Sequence, residues 1–325
     1  MDDPQRPIEL IPHSKAADIG ADIGQDSLIH RMEGSPIPDR WIEADERLLP
    51  SFFIVGPPRT GSSWLHEILS AHTMLPTPWK ETRFFDTHFH RGLKWYLTHY
   101  KESKGKGPIG EVAPTYFSSP AARERIVQTV PNARIICVFR NPVERIVSLY
   151  RLKRAYGWIP WSFEEALVRD PELIQSSQYV SNLRLWQQSF GKGNVLAGLY
   201  DDLRENPQGF VDSLVDFIGV PRFRLADTQC GLVHDSDRMT QPRSYYRTRS
   251  ARLISEWFKS RRLDRVVTAF KRSALRKFVL GGGKPFTQPP IEISARLYDQ
   301  LRPEVDELEK MLGRDLSAWK LPRAG

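Results

Sequence analysis

Cysteine is nearly absent: the chain has two, Cys137 and Cys230, among 325 residues. They stand far apart, and Cys137 falls inside the apolar run Ile135-Ile-Cys-Val-Phe139, a buried-strand position rather than half of a disulfide framework. That usage favours a reducing, cytoplasmic compartment. No run of about 18 apolar residues occurs, so no membrane-spanning helix is expected. The start, Met1-Asp-Asp-Pro-Gln5, lacks a basic region followed by an apolar one, so no signal peptide is expected either. His88 and His90 do not form a cluster with metal-ligand spacing, and no metal is expected.

The net charge of +8 is local. Residues 243–277 carry twelve Lys/Arg against Glu256 and Asp264, a net of +10, which leaves −2 for the rest of the chain. Leu253, Trp257, Phe258, Val266, Val267 and Phe270 recur there at helical intervals, predicting a basic amphipathic segment. Peripheral contact with a membrane surface, an anionic acceptor, and a helical cap with its apolar face on the core are all open readings. Nucleic acid is not expected as a partner.

The stretch that organises the chain is Ser51 to Leu65. An apolar β-type run, Phe52 to Val55, enters a turn at Gly56, passes Arg59 and Gly61, and leaves in a helical pattern through Trp64, Leu65, Ile68 and Leu69. Strand, glycine turn and helix together point backbone N–H groups and a helix N-terminus at an anion. Gly56 and Gly61 match the glycines of G-x-x-x-x-G-K-[ST], but Ser62 stands where that pattern needs lysine, and the loop's cation comes earlier, at Arg59. A turn without a ligand is the alternative.

A second constellation follows the clearest strand, Arg134 to Phe139. Arg140 closes it, Asn141 and Pro142 read as a helix cap and first helical residue, and Ser148 lies on the face of Glu144 one turn later. A guanidinium at a strand's carboxyl end with a serine hydroxyl suits a phosphate monoester. An Arg140–Glu144 surface ion pair is the alternative. A Mg²⁺-nucleotide enzyme keeps an aspartate at this strand end, so arginine here and the missing lysine both argue against a kinase or NTPase.

Residues 1–45, with scattered prolines and charges, read as a flexible arm, and 46–325 as a single domain. Further strands are expected near 111–117 and at 195–200, and helices over about 120–129, 163–168, 179–190, 206–218 and 294–312. Strands alternating with helices predict an α/β fold, a doubly wound parallel sheet flanked by helices, with the basic segment as a C-terminal cap.

Phe53-Ile-Val-Gly-Pro-Pro-Arg-Thr-Gly-Ser-Ser-Trp-Leu65 and Arg140-Asn-Pro-Val-Glu-Arg-Ile-Val-Ser-Leu-Tyr150 resemble the two cofactor signatures of sulfotransferases that use 3′-phosphoadenosine 5′-phosphosulfate (PAPS). Glu81-Thr-Arg-Phe-Phe-Asp86, Gly92-Leu-Lys-Trp-Tyr96, Glu111-Val-Ala-Pro-Thr-Tyr-Phe117 and Leu312-Gly-Arg-Asp-Leu-Ser-Ala-Trp319 are similar to the heparan sulfate glucosaminyl sulfotransferases and their bacterial relatives. The resemblance implies a P-loop-type fold and transfer of a sulfuryl group to an acceptor hydroxyl or amine, for instance on a carbohydrate. It makes Glu81 the general base and sets Arg59, Thr60, Gly61, Ser62, Ser63 and Trp64 around the 5′-phosphosulfate, with Arg59 stabilising the departing oxygen. It sets Arg140 and Ser148 on the 3′-phosphate and Lys284, in Gly281-Gly-Gly-Lys284, in the loop that covers it. From the residues alone, Glu81 between Lys80 and Arg83 reads equally as a surface ion pair. Val112 stands where the glucosaminyl enzymes have a lysine facing the reaction centre, and the disulfide of that subgroup is missing.

Overall fold

The computed structural model describes residues 48–101, 103, 106–230, 240–260 and 283–322, except the side chains of 230 and 255–260. These residues belong to one compact unit, Ala44–Gly325. The arm at 1–45, residues 261–277 of the basic segment, and Gly281 and Gly282 fall outside the described residues.

Four strands, β1 (Phe52–Gly56), β2 (Gly110–Val112), β3 (Arg134–Phe139) and β4 (Val195–Leu199), pair in parallel in the order β2-β1-β3-β4. The chain steps outward from β1 to β2, then returns across β1 to lay down β3. The sheet's switch point therefore lies between β1 and β3, where loops at the strands' carboxyl ends part and leave room for a ligand. Both organising motifs of the sequence leave the sheet there. The register between β1 and β3 slips after Ile54, so that Gly56 pairs with Cys137 and the chain is already bending into the loop.

Alternation along each strand divides the core in two. Phe53, Val55, Ile135, Cys137 and Phe139 face one layer, with Tyr96, Tyr116, Tyr179 and Trp186. Phe52, Ile54, Ile136 and Val138 face the other, with Trp64, Leu65, Leu203 and Val215. Both faces are covered, which is why these strands read as unbroken apolar runs. Each large side chain removed from water contributes about 1.5–3 kcal/mol. Cys137 is fully buried, and that burial pushes its thiol pKa up.

The helices are α1 (Ser62–Leu69), α2 (Gly92–Leu97), α3 (Pro120–Thr129), α4 (Pro142–Ala155), α5 (Phe163–Arg169), α6 (Glu172–Gln175), α7 (Tyr179–Phe190), α8 (Tyr200–Glu205), α9 (Pro207–Ile218), α10 (Asp227–Cys230), α11 (Tyr245–Ser260) and α12 (Ile291–Leu312). Asn141 caps α4 as expected: its Oδ1 accepts from the amides of Val143 at 3.0 Å and Glu144 at 3.2 Å. α9 matches the helix expected over 206–218, with Asn206 as its N-cap and Gly219 as its C-cap. α1 ends at Leu69, the last residue of its apolar pattern, and the chain then turns back to bridge Met74 with Ile109. The extended piece from 111 stops at Val112, and Pro114–Tyr116 tightens into a 3₁₀ turn. α12 begins at Ile291 instead of Ser294, directly after Pro290, whose ψ of 140° lies outside the helical range. The first part of the basic segment is helical, as its periodicity predicts, but Leu253 on the stripe expected to pack inward is half exposed.

Candidate active site

Three residues of the 56–61 loop have positive φ: Gly56 at 105°, Arg59 at 74° and Gly61 at 92°. At Gly56 a Cβ would sit 2.7 Å from the Cα and carbonyl oxygen of Pro114, so only glycine lets the loop pass over the 3₁₀ turn that follows β2. Arg59 holds a left-handed backbone without being glycine, a strain of order 1–3 kcal/mol that the loop sustains at a ligand-binding edge. Thr60 ties the turn from within, its hydroxyl donating to the Pro57 carbonyl at 2.7 Å. Gly61 is the N-cap of α1 and offers no side chain to the helix start. The amides of Ser62, Ser63 and Trp64 thus lack intrahelical partners and remain donors for an anion.

The structure joins the two motifs. Arg59 Nε donates to Ser148 Oγ at 2.9 Å, and Ser148 is buried on α4. Burial, and then the nearby Arg140, hold Arg59 below its ordinary pKa. No carboxylate pairs with Arg59 among the described residues. Arg140 makes the ion pair its sequence allowed, with Glu144 at 3.0 Å, and its guanidinium lies 4.8 Å from the Tyr200 ring centroid. The Tyr179 hydroxyl donates to the Arg140 carbonyl at 2.9 Å and so fixes the strand end. Arg59, Arg140 and Ser148 therefore form one part-buried, electropositive corner suited to a phosphate.

The other end of the loop holds a residue the sequence reading passed over. Lys80 Nζ donates to Ser62 Oγ at 3.3 Å and Ser63 Oγ at 3.2 Å, and pairs with Glu81 at 3.4 Å. Burial lowers its pKa, with Glu81 opposing that effect. Burial, and then Lys80, push the His66 imidazole down to about 4. Lys80 is thus the cation that Ser62 displaced from the loop sequence. It arrives from a segment 18 residues on, and its only sequence signal was its place beside Glu81.

The geometry bears on four of the expectations. Arg59, expected beside the departing 5′-phosphate, directs its guanidinium to Ser148, and Lys80 lies beside the loop serines. The Trp64 side chain is buried at 1% exposure with its indole N–H on the Gln229 carbonyl at 2.8 Å, leaving only its backbone amide for a ligand. Val112 is fully buried, packed with Phe52 and Trp64 beneath the loop, so this position serves the core. Lys284 is exposed. Its carbonyl accepts from the Gln241 amide at 2.8 Å, and no contact joins it to Arg140 or Ser148. The segment runs along α4, with Phe286 on Tyr150 and Gln288 accepting from Arg151 at 3.2 Å.

Residues 49–264 match the sulfotransferase domain family. The chain belongs to that family. It is 29% identical over 198 residues to the bifunctional heparan sulfate N-deacetylase/N-sulfotransferase 2 of Bos taurus, a match covering 54% of this chain and 22% of that protein. It is 30% identical over 198 residues to heparan sulfate glucosamine 3-O-sulfotransferase 3B1 of Mus musculus, covering 58% and 50% respectively. The chain therefore spans between about a fifth and a half of the length of these curated relatives. Its fold is similar to the crystal structure of a sulfotransferase from Alicyclobacillus acidocaldarius, with a TM-score of 0.59 and 21% identity over 84% of this chain and 99% of that one. The parallel sheet flanked by helices is thus the sulfotransferase architecture.

Proposed function

We propose that this sulfotransferase-family chain moves a sulfuryl group from PAPS to an acceptor hydroxyl, with a carbohydrate as the acceptor class. The observation that carries the reading is the pair of anion-binding ends on one loop. Arg59, Arg140 and Ser148 gather at one end, and Ser62, Ser63 and Lys80 at the other. A donor with phosphates at two places fits both. The uncapped start of α1 and the cation at Arg59 without a facing carboxylate are what such a group would satisfy.

Bound there, the donor supplies an electrophilic sulfur and a phosphate leaving group. Arg59, Arg140 and Ser148 would hold the 3′-phosphate. Lys80, the Ser62 and Ser63 hydroxyls and the α1 amides would stabilise negative charge at the 5′ end. Glu81, 3.4 Å from Lys80, would take the acceptor's proton, because a neutral hydroxyl is a poor nucleophile. The carbohydrate acceptor rests on the sugar named for both relatives, and the buried Val112 supports an acceptor mode different from theirs.

Calorimetric titration with PAP, the desulfated product, tests the reading beside ATP with Mg²⁺. Metal-independent PAP binding that weakens in Arg140→Ala is expected. Binding of Mg-ATP without PAP binding would overturn it in favour of a kinase-like enzyme.

A further inference from the structure

One buried carboxylate lies outside the chemistry described so far. Glu111, in the middle of β2, is fully buried, and burial, against its hydrogen bonds, raises its pKa to about 7. No cation pairs with it among the described residues. Its partners are all donors. Oε1 accepts from the Thr82 amide at 2.9 Å and the Thr82 hydroxyl at 2.6 Å. Oε2 accepts from the Tyr96 hydroxyl at 2.8 Å, and the Tyr116 hydroxyl reaches both oxygens at 3.3 and 3.4 Å. Tyr96 in turn shares a 2.7 Å hydrogen bond with Tyr100.

These contacts converge on the residue directly after Lys80 and Glu81. Thr82 Oγ1 also accepts from the Phe84 amide at 3.1 Å, and the Tyr116 hydroxyl accepts from the Phe85 amide at 3.3 Å. Arg83 between them turns through a left-handed backbone at φ 52°. The whole turn is therefore pinned to β2, the neighbour of β1, from which the anion loop springs. A buried carboxylate without a cation is expensive, and an apolar residue would hold a strand at lower cost. What the carboxylate adds is simultaneous recognition of one N–H and one O–H on a single loop residue.

We propose that Glu111 is a positioning residue that, through Thr82, sets Lys80 and Glu81 in register with Ser62 and Ser63. This rests on reading Lys80 and Glu81 as working groups of sulfuryl transfer. The clamp does not depend on charge. A proton on Oε2 can be accepted by the Tyr96 hydroxyl, which then donates to Tyr100 and leaves both Thr82 bonds to Oε1 in place.

The test compares Thr82→Val, Glu111→Ala and Glu111→Gln by amide exchange, PAP calorimetry and steady-state sulfuryl transfer. Thr82→Val and Glu111→Ala are expected to lose exchange protection at Phe84 and to drop in kcat by about 10- to 100-fold, with PAP affinity held within about twofold. Glu111→Gln keeps a carbonyl oxygen for Thr82 and should restore both protection and kcat. Wild-type kcat in Thr82→Val would overturn the proposal, whether or not exchange changes. If Glu111→Ala fails to fold, Thr82→Val, which removes a single hydroxyl, decides. Absence of sulfuryl transfer by the wild-type protein would instead sink the functional reading, and Phe84 exchange would still report whether the clamp exists.

Discussion

Arg59 and Ser148 are 89 residues apart in sequence and 2.9 Å apart in space, and their hydrogen bond crosses the switch point of the sheet. One residue leaves β1 and the other rides on the helix after β3, so the bond welds the two halves of an anion site. A hydrogen bond from a charged donor is worth about 1.5–3 kcal/mol when a ligand relies on it. Arg59→Ala should weaken PAP binding by roughly 10- to 100-fold and reduce the preference for PAP over its 3′-dephosphorylated analogue. Ser148→Ala should do less in the same direction, and the double variant should fall short of the product of the two effects. Equal losses for both nucleotides would remove Arg59 from the 3′-phosphate.

Much of this was legible in the sequence. The apolar runs marked β1 and β3, and Asn141-Pro142 marked the start of α4, because buried parallel strands and helix caps have local signatures. Glycines at 56 and 61 announced the anion loop for the same reason. What could not be read was direction. Whether Arg59 meets Ser62 or Ser148 depends on the path of the loop and on its side-chain torsions, and its positive φ at a non-glycine residue has no sequence signature. Lys80 was taken as one half of a surface pair because its other partners, Ser62 and Ser63, are neighbours only after the 70–79 turn folds back. Glu111 and Tyr116 stood in one recognised motif, yet nothing local shows that Thr82 and Tyr96, from other segments, close on the same carboxylate.

Lys80 and Glu81 should separate kinetically. Glu81→Gln removes the base while leaving shape and PAP contacts, so kcat should fall by about 10²- to 10⁴-fold with PAP affinity nearly unchanged. Lys80→Met removes a cation touching the loop serines, so both PAP affinity and kcat should fall, kcat by about 10²-fold or more. Lys80→Arg should recover part of the affinity. Steady-state kinetics beside calorimetry checks this, and identical profiles for the two variants would show that they act only as a pair.

Gly56→Ala should damage the fold rather than the chemistry. The added methyl would approach Pro114 backbone atoms to 2.7 Å at a φ of 105°. Gly56 closes β1 and Pro114 opens the turn tied directly to β2, so neither backbone moves freely, and a loss of about 2–4 kcal/mol is expected. Denaturant unfolding without nucleotide would show it, and a midpoint equal to wild type would mean the loop relaxes freely.

The pKa of Glu111 makes stability depend on pH. Burial raises it from its ordinary value of 4.5 to about 7, so the folded protein holds this proton more tightly than the unfolded chain does. The associated stability is complete below pH 4.5, declines as pH rises, and is gone once pH passes about 7, a loss of roughly 3 kcal/mol. Glu111→Gln mimics the protonated form at every pH and should lack that decline. Its unfolding free energy relative to wild type should therefore rise steadily from pH 5 to pH 7.5 and then level off. Urea unfolding across that range measures the difference directly. A difference that stays flat would mean that Glu111 titrates near its unfolded value, and that its hydrogen bonds from Thr82, Tyr96 and Tyr116 offset its burial in full.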